Sequence, residues 1–174
     1  MTGKKNTEEK ENIMRKVKIE KIVLSIGATG EQLEKGVKLL GILTGKKAAK
    51  MKSKKRIPTL GVRPGLEVGA VVTIRKEKDT ILKRMLVGMG NHLRKKQMSE
   101  NNFSFGLKEY IEIPGMEYQR EIGAMGFDVT VVFKRTGRRV SAKKMKRGKV
   151  PKKQSVSKQE IIKFMEENFN TKFK

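Results

Sequence analysis

The sequence predicts an α+β fold, with an antiparallel or mixed sheet that carries helices on one face and leaves an open basic face and a long basic loop. Strand-like and helix-like periodicities alternate early in the chain, and two strand-like segments follow each other late in it without a helix between them. The order β-α-(basic loop)-β-α-β-β-α favours this class over a doubly wound sheet. Residues 1–13 read as a flexible arm, and residues 14–174 are long enough for one domain with its own core.

The first strand and the first helix are predicted over residues 17–27 and 31–44. In the strand, apolar residues alternate with a polar face that carries Lys21 and Ser25. The helix has apolar residues at helical spacing and ends where Gly45 can serve as its C-cap. A strongly basic loop follows this helix.

The second strand and helix are predicted over residues 66–77 and about 79–95. Alternation in the strand places Thr73 and Arg75 on its polar face. The helix has a buried stripe of leucines and methionines, with Asp79 or Thr80 as candidate N-caps.

Two further strands are predicted over residues 101–113 and 126–135, followed by a C-terminal helix over residues 157–169. Ser157 and Glu160 have the spacing of a capping box, in which the two residues satisfy each other's backbone N–H groups. The β-β-α ending completes the predicted sheet.

The charge balance is the strongest indication of function. Lys and Arg number 42 against 18 Asp and Glu, a formal net charge of +24. Such an excess indicates nucleic-acid binding first and attraction to anionic membrane second. A chain without cysteine, with His92 as its one histidine and only two aspartates, offers no zinc finger and no two-metal carboxylate site. We therefore predict no enzyme activity, no cofactor, no metal and no small-molecule substrate.

Two segments concentrate the cations. Residues 50–67 contain six Lys or Arg and one acid, and residues 134–153 contain eleven Lys or Arg and no acid. Both are suited to phosphate, since Lys supplies a mobile charge and Arg a bidentate fork. The alternative for the first is a solvated surface loop. The second contains "KKMKRGK", which also fits a nuclear localisation signal.

The open face of the sheet is the second candidate RNA surface, because Lys21, Thr73 and Arg75 are predicted to lie on it. Phe103 and Phe105 alternate as base-stacking aromatics would, but core phenylalanines alternate in the same way. With seven Phe, two Tyr and no Trp, recognition through phosphate, 2′-hydroxyl and RNA shape is favoured over base stacking.

Several motifs, in order, resemble one family over about residues 14–135. They are "IEKIVLSIG", "LTGKK", "SKKRIPTLGVRPGLEVGAVVTIR", "NNFSFGLKEYIEIPGMEY" and "GFDVTVVFKR". The family is the universal large-subunit ribosomal protein that bacteria number L-five and eukaryotes number L-eleven. The ending "SVSKQEIIKFMEENF" is similar to its eukaryotic and archaeal branch.

The resemblance implies a structural protein of the central protuberance of the large ribosomal subunit. Its implied partners are 5S rRNA, large-subunit rRNA, peptidyl-site tRNA, and neighbouring ribosomal proteins of the central protuberance and the small-subunit head. The implied location is the cytoplasmic ribosome, with nucleolar assembly if the chain is eukaryotic.

The resemblance also implies three groups of site residues. The 5S rRNA contacts would be Ser25, Lys46 and Thr73, joined on the open face by Lys21 and Arg75. The loop that contacts tRNA and rRNA would use Lys54, Lys55, Arg56 and Arg63. Additional rRNA anchoring is expected from Arg138, Arg139, Lys143, Lys144 and Arg147. This chain departs from the family where Ser25 replaces Asn and Lys46 replaces Gln.

Two other functions remain open at this point. A general RNA chaperone or ribosome assembly factor could use the same fold and charge. Membrane-surface binding is disfavoured, because the C-terminal helix carries Glu160, Glu166 and Glu167 rather than a basic amphipathic face.

Overall fold

The structure, a computed structural model, describes residues 12–174, so that most of the predicted N-terminal arm lies outside the described residues. The elements within that range are β1 (Val17–Gly27), α1 (Glu31–Thr44), β2 (Ala49–Lys52), β3 (Glu67–Ile74), α2 (Lys78–Gly88), β4 (His92–Leu93), β5 (Met98–Ser99), β6 (Asn102–Leu107), β7 (Phe127–Arg135), α3 (Arg139–Ala142), α4 (Lys158–Phe169) and β8 (Lys172–Phe173).

Six strands form one antiparallel sheet in the order β2-β3-β1-β7-β6-β5. At its centre Leu24 of β1 lies opposite Val72 of β3 and Val129 of β7. One set of alternate strand residues is buried in a single core with the apolar faces of α1, α2 and α4. The other set faces away from the helices, so the predicted α+β class with helices on one face is confirmed.

Helix α2 is shorter than predicted, because it ends at Gly88 rather than near residue 95. Gly90 and Asn91 adopt left-handed φ values of +65° and +57°, which a right-handed helix cannot include. The predicted N-cap is also wrong: Glu77 occupies that position, and Asp79 lies in the first turn.

The predicted strand over residues 101–113 is correct only in its first half, since β6 ends at Leu107. The chain then forms a long connection containing a 3₁₀ turn at Tyr110–Glu112 before β7 begins. The predicted basic loop over residues 50–67 is also trimmed, because its first residues belong to β2 and Glu67 opens β3.

The last helix agrees with prediction. Ser157 Oγ accepts from the Glu160 N–H at 3.4 Å, and Glu160 Oε2 accepts from the Ser157 N–H at 2.9 Å. After α4 the chain returns as β8, which pairs in parallel with β4, placing His92 opposite Lys172. This two-stranded pair connects the end of the chain to the turn after α2.

Candidate nucleic-acid interface

The open face of the sheet is lined mainly by small, hydroxylated or valine side chains. The register places them in rows across β3, β1, β7 and β6: Val71, Ser25, Asp128 and Gly106 in one row, and Thr73, Val23, Thr130 and Ser104 in the next. Ser104 Oγ and Thr130 Oγ1 are hydrogen-bonded at 3.0 Å. Such a surface offers hydroxyl donors and acceptors. Because its side chains are short, they leave room for an RNA backbone to lie close to the strands.

Four of the five predicted 5S rRNA contacts lie on or next to this open face. Ser25 is opposite Val71, and Thr73 follows two positions along the same strand, so Ser25 and Thr73 are diagonal neighbours. Lys21 lies opposite Val132 of β7, and Arg75 is exposed directly after β3. Strand pairing thus brings together residues that are far apart in the sequence.

Lys46 is exposed in the connection that follows α1. Gly45 before it has a left-handed φ of +63°, which turns the chain out of the helix, as predicted. The Lys46 N–H donates to Thr44 Oγ1 at 3.3 Å. Because Ala49 lies opposite Val71 in an antiparallel pair, the residues before Ala49 run toward the Thr73 end of β3. Lys46 therefore lies at the edge of the sheet, toward the Thr73 end of β3.

The basic loop has a defined hydrogen-bonded framework. At its base the Ser53 N–H donates to Leu66 O at 2.8 Å, and the Gly65 N–H donates to Ser53 O at 2.9 Å. Farther out, Ile57 and Val62 form an antiparallel bridge around a 3₁₀ turn, Pro58–Leu60. Two sets of backbone hydrogen bonds, one at the base and one farther out, therefore hold the two sides of the loop together.

The predicted phosphate-binding residues of this loop project from that framework. All four are exposed, and within residues 12–174 none of them takes part in an ion pair: Lys54, Lys55, Arg56 and Arg63. At the base of the loop Lys50 does pair with Glu67, at 3.1 Å. The outer cations thus remain available for an external anion.

The second basic segment is folded, which the sequence pattern did not indicate. After β7 the chain forms α3 and turns back, so that the Gly148 N–H donates to Val140 O at 3.2 Å. Arg147 Nε donates to Ser141 O at 2.6 Å, which adds a second hydrogen bond across the same turn. Of the predicted anchoring residues, Arg138 is half-buried, and the others are exposed: Arg139, Lys143, Lys144 and Arg147.

An ion pair fixes this segment to the C-terminal helix. Arg135 Nη2 lies 2.5 Å from Glu160 Oε1, and the Arg135 side chain is only 14% exposed. Partial burial on its own would raise the pKa of Glu160. The Ser157 backbone N–H and the Arg135 guanidinium outweigh that effect, so the pKa of Glu160 is lowered.

The two candidate stacking residues lie in the core, and the histidine lies on the surface. Phe103 and Phe105 are buried, which confirms the core alternative. His92 is exposed, with Nδ1 2.6 Å from Gly90 O. Across residues 12–174 no three potential metal-ligating side chains form a cluster, and no helix has both the length and the apolar character needed to cross a membrane.

An acidic surface next to the sheet was missed in the sequence analysis. The connection after β6 carries four exposed acids, Glu109, Glu112, Glu117 and Glu121, and Tyr118 is 57% exposed among them. We call residues 109–121 the acidic loop. The signal was available, because this stretch has four acids and one cation in a chain of net charge +24. RNA would be repelled from such a surface.

Comparison with known proteins places these features in context. The family model described as ribosomal protein L5 matches residues 12–63, and a second model, which describes the C-terminus of the same ribosomal family, matches residues 67–164. The chain is 42% identical to the large ribosomal subunit protein uL5 of Nanoarchaeum equitans over 161 residues, covering 90% of this chain and 95% of that protein. It is 39% identical to the uL5 protein of Sulfolobus acidocaldarius, covering 93% of each chain. Identity to the Methanosphaera stadtmanae uL5 protein is 37%, covering 91% of this chain and 97% of that one.

Proposed function

This chain belongs to the ribosomal protein L5 family, in its archaeal-like branch, and from that premise we propose that it binds 5S rRNA and contacts peptidyl-site tRNA. As a member of the family it is a structural, non-enzymatic constituent of the large ribosomal subunit. It is therefore part of the ribosome in the cytoplasm, where rRNA and other ribosomal proteins are its partners. Nucleolar assembly stays a prediction for a eukaryotic source.

The open face is the proposed 5S rRNA surface. One observation carries this proposal: Ser25 and Thr73 are diagonal neighbours on adjacent strands, on the sheet face that no helix within residues 12–174 covers. Their hydroxyls can contact 2′-hydroxyl and phosphate oxygens, which is how proteins recognise RNA by shape. Lys21, Arg75 and Lys46 at the margins add the cations that attract the RNA backbone.

Equilibrium binding across a salt series tests this assignment. We expect the protein to prefer 5S rRNA over a tRNA of comparable charge, and to keep that preference at high salt. Each neutralised phosphate steepens the dependence of log K on log salt by about 0.7 to 0.9. Equal affinities that fall together with salt would instead support a general RNA chaperone or assembly factor.

Replacing Thr73 separates shape recognition from charge. Thr73→Val keeps the β-branched shape but removes the hydroxyl, so we expect weaker 5S rRNA binding, by about tenfold, with an unchanged salt slope. Lys21→Ala should lower the salt slope by about 1. An unchanged affinity in Thr73→Val would remove this residue from the surface.

The basic loop is the proposed tRNA contact. Its cations project beyond the edge strand β2 on a hydrogen-bonded framework and are not paired within the described residues. We expect a variant with Lys54, Lys55 and Arg56 replaced by Ala to weaken peptidyl-site tRNA binding to reconstituted large subunits. Its binding to isolated 5S rRNA should remain largely intact.

The matched control removes three exposed cations from helices: Lys35, Lys158 and Lys163, each replaced by Ala. The control loses the same charge, so it reports the general electrostatic contribution. Equal loss of 5S rRNA and tRNA binding in the loop variant would contradict the proposed division between sheet and loop.

The remaining two surfaces are assigned by charge. The folded basic segment over residues 138–147 is proposed as an additional anchor on large-subunit rRNA, because four of its five predicted anchoring cations are exposed.

The acidic loop suits a Lys- and Arg-rich neighbouring ribosomal protein, since electrostatic complementarity favours association with a basic protein surface. Measuring crosslinks from Tyr118 in assembled ribosomes would separate the outcomes: crosslinks to protein support this assignment, and crosslinks to rRNA contradict it.

A further inference from the structure

Asp128 is an acid in the middle of the surface assigned above to RNA. It lies on β7, opposite Ser25 of β1 on one side and Gly106 of β6 on the other. A Cβ on Gly106 would lie only 3.0 Å from Asp128 Oδ1, so the carboxylate extends over a position that has no side chain. Asp128 is exposed. Its carboxylate is therefore presented on the open face next to a predicted 5S rRNA contact.

The other acids on the strands of this sheet are ion-paired. Glu20 of β1 lies 3.9 Å from Lys134 Nζ, and Glu67 of β3 lies 3.1 Å from Lys50 Nζ. Within residues 12–174, no cation lies within ion-pair distance of Asp128. The chain contains 42 Lys and Arg, so the unpaired state of Asp128 does not result from a shortage of cations.

An unpaired carboxylate is unfavourable on a surface that binds a polyanion, unless the RNA offers it a hydrogen-bond donor. Phosphate oxygens only accept, and they repel a carboxylate. The amino and imino groups of nucleobases donate, and carboxylates accept from base amino groups in specific recognition. Bases exposed in loops and bulges of folded RNA present those edges to protein side chains.

We propose that Asp128 is a specificity-determining residue that accepts a hydrogen bond from a nucleobase amino or imino group of the bound RNA. This inference rests on the proposed binding of 5S rRNA to the open face. In this arrangement the hydroxyls of Ser25 and Thr73 recognise the RNA backbone, and Asp128 recognises a base. The same carboxylate repels RNA that lacks a donor at that point.

Two opposite effects therefore follow from Asp128→Asn, which keeps the side-chain shape but removes the negative charge. Binding to 5S rRNA should weaken by about tenfold, because the acceptor is poorer. Binding to a tRNA of comparable charge should strengthen about two- to threefold, because a repulsive charge is gone. Asp128→Ala should weaken 5S rRNA binding at least as much. A change in folding alone would move both affinities in the same direction.

The control is Glu117→Gln, which removes one exposed acid from the acidic loop, outside the open face. We expect it to strengthen both RNAs slightly and equally. Equal strengthening of both RNAs by Asp128→Asn would overturn the inference. Wild-type protein in the same titration tests the underlying proposal. If the wild type shows no preference for 5S rRNA over tRNA, the 5S assignment itself is overturned. If the wild type shows that preference and Asp128→Asn leaves it unchanged, only the role of Asp128 is overturned.

Discussion

Gly126 shows how closely the connection after β6 packs against the start of β7. A Cβ at this position would lie 2.5 Å from Lys108 O and 2.7 Å from Leu107 O. Both contacts are backbone atoms, which cannot rotate away as the end of a flexible side chain would. Gly126 is not among the residues with positive φ, so glycine is needed here for space and not for its conformational freedom.

Gly126→Ala should therefore destabilise the protein. Overpacking against backbone typically costs about 1–3 kcal/mol, and urea denaturation would measure this as a lower free energy of unfolding. Gly27→Ala is the control, because a Cβ there meets no atom within 4 Å. We expect that variant to stay within about 0.5 kcal/mol of the wild type. Similar losses in both variants would show that close packing is not the cause.

Prediction of which side chains share the open face succeeded where alternation decided the outcome. The pleat put Ser25 and Thr73 on the same face of the sheet once β1 and β3 were recognised, and their diagonal relationship then required the register. Asp128 was noted in the sequence only as one of two sparse aspartates. Its place between Ser25 and Gly106 depends on the pairing of β7 with both β1 and β6, which no local pattern specifies.

At the scale of elements, long periodic segments were predictable and short ones were not. Strands β1, β3 and β7 and helix α1 agree with prediction because each contains several repeats of its period. Strands β4, β5 and β8 have two residues each, too few to show alternation. The predicted helix over residues 79–95 ran too far because apolar residues such as Leu93 continue the helical spacing after Gly88, while left-handed residues had already ended the helix.

The Arg135–Glu160 ion pair makes the attachment of α4 dependent on pH. Because the pKa of Glu160 is lowered on folding, the pair stabilises the folded state above the carboxyl's ordinary pKa of about 4.3. That stabilisation is lost as pH falls through the lowered pKa. Because the Glu160 side chain is 41% exposed, solvent screens the pair, so Glu160→Gln should reduce the free energy of unfolding by about 0.5–1 kcal/mol at pH 7. The difference from wild type should vanish in strong acid.

Denaturant unfolding of wild type and Glu160→Gln, at neutral and at acidic pH, measures the difference in free energy of unfolding under each condition. Glu167→Gln is the control, since Glu167 is an exposed acid on the same helix and, within the described residues, takes part in no ion pair. It should change stability by a few tenths of a kcal/mol at either pH. A Glu160→Gln difference that persists unchanged in acid would mean that the charge is not what stabilises the attachment.

For the whole molecule, a net charge of +24 opposes the compact state through self-repulsion. The basic loop and the residues 138–147 concentrate that repulsion, because their exposed cations have few acidic neighbours. Four surfaces of three kinds follow: a hydroxyl-rich sheet face, two cationic segments and one acidic loop.

Added salt should therefore stabilise the free protein. Screening at high ionic strength weakens the repulsion between exposed cations more than it weakens the partly buried Arg135–Glu160 pair. We expect Tm to rise by about 2–6 °C between 0.05 and 0.5 M NaCl, measured by circular dichroism. The variant lacking Lys54, Lys55 and Arg56 should show a smaller rise. A Tm that falls with salt would indicate that attractive ion pairs dominate.

The strand order has a consequence for synthesis. β1 is the central strand, yet both of its partners, β3 and β7, are made after it, and β7 follows by roughly a hundred residues. At translation rates of about 5–20 residues per second, one edge of β1 waits for about 5–20 s before its partner exists. During that interval the nascent chain exposes Ile22, Leu24 and Ile26 on a strand with an unsatisfied edge. We therefore expect the newly made protein to depend on protection from aggregation until β7 has been made, as a consequence of the strand order.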